Sequence, residues 1–183
     1  MNQIEILEQD YEILGTLKNI NIADSFVSPL NKIGDGNGEA KLYIGQAGKK
    51  ITDFFGERGF ESNCFLLKED LIQYLDEIRK EHLAPTQDYR EKDQFDRLWE
   101  TKLEKVLCLD ELVEFKIKDQ NNLQGQRVYI NSNAEGYKLI RDISLPVISH
   151  LEITKVRNVE DNIIKYYFYL FSDYVNEDRK SVV

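Results

Sequence analysis

The sequence predicts an α+β fold in which a small, mainly antiparallel sheet packs with a helical pair. Two helix-like stretches lie in the middle of the chain, and alternating apolar runs dominate its second half. The 183 residues are 42% hydrophobic and include 10 tyrosines and 9 phenylalanines, which suits one domain with an aromatic core. We expect this single domain to cover residues 1–175 and a charged tail to follow over 176–183.

Helical periodicity marks three stretches of the chain. Residues 3–14 carry apolar side chains three or four positions apart, and Gly15 follows as a stop. Residues 65–83 show the clearest amphipathic pattern, and residues 90–107 repeat it. The short polar connection between the second and third stretches predicts that they form an antiparallel helical hairpin.

Alternation and turn residues mark the strands of the predicted sheet. A shorter helix is expected among them over residues 131–144, with Asn131 or Ser132 near its start. The predicted strands, in chain order, are 40–46, 112–119, 127–130, 150–156 and 163–171, the last two forming a hairpin.

The charge balance limits the classes of partner. The net charge of −9 argues against a chain that binds nucleic acid over its whole surface, because phosphate affinity comes largely from lysine and arginine. It leaves room for local basic faces on an acidic body. Two basic clusters stand out, the first made of Lys49, Lys50 and Arg58 and the second of Arg127, Lys138 and Arg141.

Signals for a cofactor or for export are few. With two histidines and no Cys-x-x-Cys pair, the sequence predicts no metal site. Cys64 and Cys108 are flanked by apolar residues, and we expect both to be reduced, buried thiols of a cytoplasmic protein. The acidic N-terminus is unlike a secretion signal, and no apolar run suits a transmembrane helix. We therefore expect a cytoplasmic protein with no membrane contact and no cofactor.

The stretch LYIGQAGKKITDFF, residues 42–55, has the character of a site. It combines an apolar run, two glycines, two lysines and a helix-like pattern. A nucleotide-binding P-loop is excluded, because Gly45 and Gly48 are only three positions apart and Lys49 is followed by Lys50 instead of Ser or Thr.

Two nuclease motifs are half present. The tripeptide YIG at residues 43–45 resembles the second half of the GIY-YIG nuclease signature, and this resemblance would give Arg58 a role in catalysis, although no Gly-Ile-Tyr precedes it. Glu114 and Lys116 form the E-x-K half of a metal-dependent nuclease site, in which a carboxylate would hold Mg²⁺ and a lysine would orient water. The partner aspartate is absent, and alternating charge on a solvent-facing strand explains the pair more simply.

A nucleic-acid surface is the remaining interpretation of the stretch. Lys49 and Lys50 would begin a helix, where backbone N–H groups already attract phosphate. Scattered solvated charge on an acidic protein is the competing explanation. The predicted nucleic-acid contacts are Gln46, Gly48, Lys49, Lys50, Arg58, Arg127, Lys138 and Arg141.

Residues 137–174, which include YKLIRDISLPVISHLEITKV and IIKYYFYLFSDY, resemble the region that precedes the catalytic domain in some bacterial HNH-type restriction endonucleases. The stretch FFGERGF, residues 54–60, adds to this resemblance. The chain lacks the histidines and asparagine of an HNH catalytic unit. The resemblance therefore implies a non-catalytic module that reads DNA, a modified base or another signal, while a catalytic nuclease domain or chain lies elsewhere.

These observations leave three hypotheses. The first is a DNA-recognition module of a bacterial restriction or phage-defence endonuclease. The second is a protein-interaction or structural module, indicated by the acidic surface and the aromatic C-terminal strands. The third is a stand-alone nuclease that would need Mg²⁺ and would use Tyr43, Arg58 or the pair Glu114 and Lys116.

Overall fold

The computed structural model describes residues 2–22, 41–84, 95–121, 125–145 and 148–173, with the backbone alone described for 95–97. This part of the chain contains eight strands and four helices. The strands are β1 (Gln3–Ile6), β2 (Gln9–Asn21), β3 (Lys41–Gln46), β4 (Glu61–Leu67), β5 (Leu112–Asp119), β6 (Arg127–Asn131), β7 (Ser149–Asn158) and β8 (Ile164–Ser172). The helices are α1 (Lys49–Phe55), α2 (Lys68–Leu83), α3 (Phe95–Leu107) and α4 (Glu135–Ile143).

All eight strands belong to one sheet, in the order β1-β2-β7-β8-β4-β5-β6-β3. Neighbouring strands are antiparallel except β4 and β8, which run parallel. The prediction of a small sheet packed with a helical pair is therefore wrong. The sheet is large and mixed and the helices are four, within a chain that is α+β overall.

The main cause of this error is the N-terminal stretch, which forms β1 and β2 instead of a helix over residues 3–14. Ile4 pairs with Tyr11 across a hairpin whose turn residues, Leu7 and Glu8, have φ values of 48° and 67°. The strand β2 then continues through Gly15 and pairs with β7, whose residues lie about 140 positions later in the chain. Spacing alone misled the prediction, because pairing with a distant strand overrides a helical pattern.

The second error concerns the start of the long helix. Residues 65–67 belong to β4, and α2 begins at Lys68. Because β4 is a central strand, Cys64, Phe65 and Leu66 are all buried, and their continuous apolar run merges with the helical pattern that follows. The third helix begins at Phe95, and its predicted first residues, 90–94, lie outside the described residues, as does the predicted tail 176–183.

The four helices all belong to one side of the sheet. Phe54 and Phe55 of α1 contact Tyr166 of β8, and Tyr137 of α4 contacts Phe115 and Phe168. The helix α2 joins the same core where the hydroxyl of Tyr74 lies 2.6 Å from Oγ of Ser149, and α3 packs on α2. We call this side the inner face and the opposite side the outer face.

The outer face is covered at one place by the hairpin of β1 and β2. Ile6 and Tyr11 form a second apolar cluster with Phe65 and Val156 there. The rest of the outer face of β3, β6, β7 and β8 carries half-buried aromatic and charged side chains. Both candidate binding surfaces described below lie on it.

The remaining features of the fold are the start of α4, the state of the two cysteines and the length of the helices. Helix α4 begins at Glu135, and Oγ of Ser132 accepts a hydrogen bond from the backbone N–H of Ala134 before the helix starts. Both cysteines are free thiols, but only Cys64 is buried, so the prediction of a buried Cys108 is wrong. None of the helices in the described ranges is long and apolar enough to cross a membrane.

Candidate nucleic-acid interface

Two tyrosines lie side by side across β3 and β6 on the outer face, with their ring planes tilted by 47°. Tyr43 and Tyr129 are register partners, and their ring centroids lie 5.3 Å apart. Nζ of Lys41 lies 4.4 Å from the centroid of the Tyr129 ring, and Cζ of Arg127 lies 5.7 Å from that of Tyr43. Each ring therefore has a cation over it, and both rings remain half-buried.

A β-bulge brings a fifth side chain to this surface. Tyr43 pairs with Tyr129 and Gly45 with Val128, so one extra residue is inserted in β3 between these two pairs. Gly45 has a φ of 141°, which favours glycine. After the bulge Gln46 pairs with Arg127. The YIG tripeptide is thus a bulged strand end, and we call Lys41, Tyr43, Gln46, Arg127 and Tyr129 the basic tyrosine face.

Lys49 and Lys50, which follow the two glycines, would contribute to phosphate binding only through their side-chain charges. Helix α1 has seven residues, too few for a helix dipole of any size, so its N-terminus adds little to phosphate binding. Nζ of Lys49 donates to the carboxylate of Asp53 at 2.6 Å, and both side chains are largely exposed. Lys50 is exposed, and the next residue, Ile51, is buried beneath it. Lys49 and Lys50 follow the end of β3 closely in the chain, but they begin α1, which packs on the inner face through its two phenylalanines.

Arg58 has a structural partner. Its Nε donates to Oδ2 of Asp119 at 2.8 Å, and the same carboxylate accepts the backbone N–H groups of Gly59 and Asn121 at 2.8 Å. Burial raises the pKa of Asp119, but these hydrogen bonds and the charge of Arg58 outweigh burial and hold the pKa below its ordinary value. A phosphate contact by Arg58 stays a prediction, and it would have to compete with Asp119.

The remaining predicted contacts are on α4. Lys138 and Arg141 are half-buried, and Nε of Arg141 lies 3.6 Å from the carboxylate of Asp142. Because Tyr137 packs on the inner face, α4 lies on the side of the sheet opposite the basic tyrosine face. Of the predicted contacts, Gln46 and Arg127 are register partners on the outer face, and Gly48, Lys49 and Lys50 follow directly after Gln46 in the chain. Lys138 and Arg141 lie on α4, on the other side of the sheet.

The residues suggested for a nuclease are dispersed. Glu114 accepts a hydrogen bond from Nζ of Lys165 at 3.2 Å, and Lys116 is exposed on the same strand. Tyr43 contacts the ring of Tyr129, and Arg58 is paired with Asp119. In the described residues, no group of three or more histidine, cysteine, aspartate and glutamate side chains is placed to hold a metal ion.

Lys41 and Tyr129 were not predicted as binding residues, and Tyr43 was predicted only as part of a nuclease motif. A signal was present in the two strands. Lys41 and Tyr43, like Arg127 and Tyr129, are two positions apart, which places each pair on one side of a strand. Which strands would be neighbours was not predictable from this spacing.

Comparison with family models, with curated proteins and with solved structures finds no match to this chain.

Proposed function

We propose that this protein is a DNA-binding module that holds unpaired bases on the basic tyrosine face. The observation that supports the proposal is the pair of neighbouring rings of Tyr43 and Tyr129, half-buried on the outer face and with a cation over each ring. Aromatic side chains bind single strands by stacking on bases, and neighbouring cations bind the phosphates. A duplex keeps the faces of its bases covered, so the proposal assigns single-stranded DNA, or a base turned out of a duplex, to this face.

The charges around the rings support the same assignment. Lys116 and Lys118 lie on β5, the strand next to β6, and Lys118 pairs in register with Asn131 of β6. Glu61 faces Lys118 from β4 and offsets part of this charge. Cations on three adjacent strands and at the start of α1 would let an acidic chain bind a phosphate backbone locally. They are Lys41, Lys49, Lys50, Lys116, Lys118 and Arg127.

The biological setting is part of the proposal. The resemblance of residues 137–174 to the region before the catalytic domain of HNH-type restriction endonucleases supports a recognition role in a bacterial restriction or defence system, with catalysis on another domain or chain. We place the module in the cytoplasm, where both of its thiols would stay reduced.

Fluorescence anisotropy with a labelled single strand and a matched duplex tests the proposal. We expect the wild-type chain to bind the single strand more tightly, and Tyr43→Ala with Tyr129→Ala to weaken binding by about tenfold or more. Lys41→Ala with Arg127→Ala should lower the dependence of log K on log salt by about 1.4, or about 0.7 for each cation removed.

The matched control removes two lysines from exposed positions on α2 and α3. Lys80→Ala with Lys105→Ala makes a similar change in net charge, and we expect nearly wild-type binding. Circular dichroism and thermal unfolding verify that each variant is folded. The proposal would be overturned if the chain bound no single-stranded or duplex DNA, modified or not, at low salt. Equal losses in the tyrosine variant and in the control would also overturn it.

A further inference from the structure

A second aromatic row lies on the outer face of β7 and β8. The rings of Tyr169 and Phe171 are stacked with centroids 5.8 Å apart, and His150 stacks on Phe171 at 5.7 Å. At the other end, Tyr167 lies 6.5 Å from Tyr169. All four side chains are half-buried, so part of each ring is open to a ligand.

Carboxylates border this row. The hydroxyl of Tyr167 donates to Asp70, at the start of α2. Glu152 is the register partner of Tyr169 on the neighbouring strand. Oδ2 of Asp173 lies 2.8 Å from Nε2 of His150. We call the four rings and these three carboxylates the acidic aromatic stripe.

The charge of the stripe is unbalanced. In the part of the chain that the structure describes, half-buried Glu152 has no lysine or arginine as an ion-pair partner. Burial raises the pKa of Asp70, and the charge of Glu69 adds to this effect against the opposing hydrogen bond from Tyr167. Burial also raises the pKa of Tyr167, as do Asp70, Tyr169 and Glu152. Both shifts arise chiefly from burial, and the neighbouring negative groups add to it.

We propose that the acidic aromatic stripe binds a basic segment of a partner protein through arginine side chains. A guanidinium can stack on Tyr169 or Phe171 while its N–H groups reach Glu152 or Asp173, and few other side chains combine a planar cation with several donors. Nucleic acid does not suit this stripe, because three carboxylates border the rings and would repel phosphates. The chain would thus carry two aromatic surfaces of opposite charge for two different ligands.

Titration of the uniformly ¹⁵N-labelled full chain with the peptide acetyl-Gly-Arg-Gly-Arg-Gly-amide, without DNA, tests this proposal by NMR. We expect amide shifts centred on β7 and β8 around Glu152, Tyr169 and Phe171. A lysine peptide should bind more weakly, and a citrulline peptide, which keeps the shape without the charge, should lose most of the affinity. Glu152→Gln is the conservative variant and should weaken binding about fivefold.

Three further variants separate the possible explanations. Tyr169→Leu should also weaken peptide binding, because it removes a ring and keeps an apolar side chain. Glu104→Gln, at an exposed position on α3, removes the same charge as Glu152→Gln and should leave the affinity within about twofold of wild type. Lys41→Ala with Arg127→Ala should not change peptide binding, so failure of the DNA proposal and failure of this one are distinguishable.

Several results would overturn the proposal. They are no binding at millimolar peptide, shifts spread evenly over the acidic surface, or equal losses in Glu152→Gln and Glu104→Gln. Self-association of the chain, seen by sedimentation and abolished by Glu152→Gln while the peptide fails to bind, would assign the stripe to a second copy instead.

Discussion

Arg58 and Asp119 form an ion pair between positions 61 residues apart in the chain, with Nε 2.8 Å from Oδ2. The carboxylate is fully buried, whereas the guanidinium remains 28% exposed. The pair joins the turn after α1 to the end of β5, where the backbone N–H of Asp119 also donates to the carbonyl of Phe60. Arg58 thus holds the segment between α1 and β4 in place, whatever else it binds.

Arg58→Ala should therefore destabilise the fold strongly. The change leaves a buried carboxylate without its cation, which costs about 2–4 kcal/mol of unfolding free energy. Urea denaturation measures the effect. Lys49→Ala is the control, because it breaks the exposed pair with Asp53 and should cost no more than about 0.5 kcal/mol.

The sign of the pH dependence follows from Asp119. Its folded pKa lies below the unfolded value, so the stabilisation by Arg58 is present above about pH 4 and is lost as the pH falls through the folded pKa. The difference in unfolding free energy between wild type and Arg58→Ala should therefore decrease as the pH falls. Folded Arg58→Ala should still bind DNA. A variant of wild-type stability that no longer binds DNA would instead give Arg58 a direct role in the interface.

The strands that the sequence predicted well are those whose signal is local. The alternation of Val113, Phe115 and Ile117 is complete within β5, and the predicted bounds of that strand, 112–119, are those of the structure. By contrast β2 depends on β7, as in the pair of Leu17 with Ile153, and no local pattern contains this information. Long-range pairing therefore explains why the sheet was predicted too small.

The candidate interface also combines residues that the local sequence indicates with contacts that depend on long-range strand pairing. Gln46 and Arg127 are both among the predicted contacts, but their pairing depends on the pairing of β3 with β6 and on the bulge at Gly45. The contact between the rings of Tyr43 and Tyr129 has the same origin. Sequence spacing indicated which side of each strand these residues share, and only the sheet order brought the two strands together.

Gly136 gives a prediction about the contact between α4 and β5. A Cβ atom at this glycine would lie 2.2 Å from Cγ1 of Val113, a distance that real side chains do not adopt. Gly136→Ala should therefore destabilise the protein by about 1–3 kcal/mol, although alanine is the better helix former, because the helix must move off the strand. Adding Val113→Ala should recover part of the loss in urea denaturation.

Gly48→Ala is the matched control for this prediction. Its backbone is extended, with a φ of 163°, and no atom lies within 4 Å of the added carbon. We expect a change in stability within about 0.5 kcal/mol. A large loss at Gly48 and none at Gly136 would contradict the packing of α4 on β5. A neutral Gly48→Ala would also show that this turn needs no glycine to keep its shape.

Lys102 of α3 is a buried amine. It is 4% exposed, and its Nζ lies 3.1 Å from Nε2 of His82 at the end of α2. Burial lowers the pKa of Lys102 well below its ordinary value, and the charge of Lys105 adds to this effect. Folding must therefore remove water from a charged group or remove its proton, and either costs stability.

Replacing Lys102 with methionine should stabilise the protein by about 1 kcal/mol or more at about pH 7, because an apolar chain of similar length fills the same space. The folded pKa lies below the unfolded value of about 10.4, so between these values unfolding takes up a proton and wild-type stability rises with pH. In urea denaturation, the difference in unfolding free energy between Lys102→Met and wild type should consequently be smaller at about pH 9.5 than at about pH 7. Lys50→Met, which removes an exposed lysine of α1 that does not act on the pKa of Lys102, should show no such decrease. A Lys102→Met variant less stable than wild type at both pH values would show that the amine makes a net favourable contact with His82.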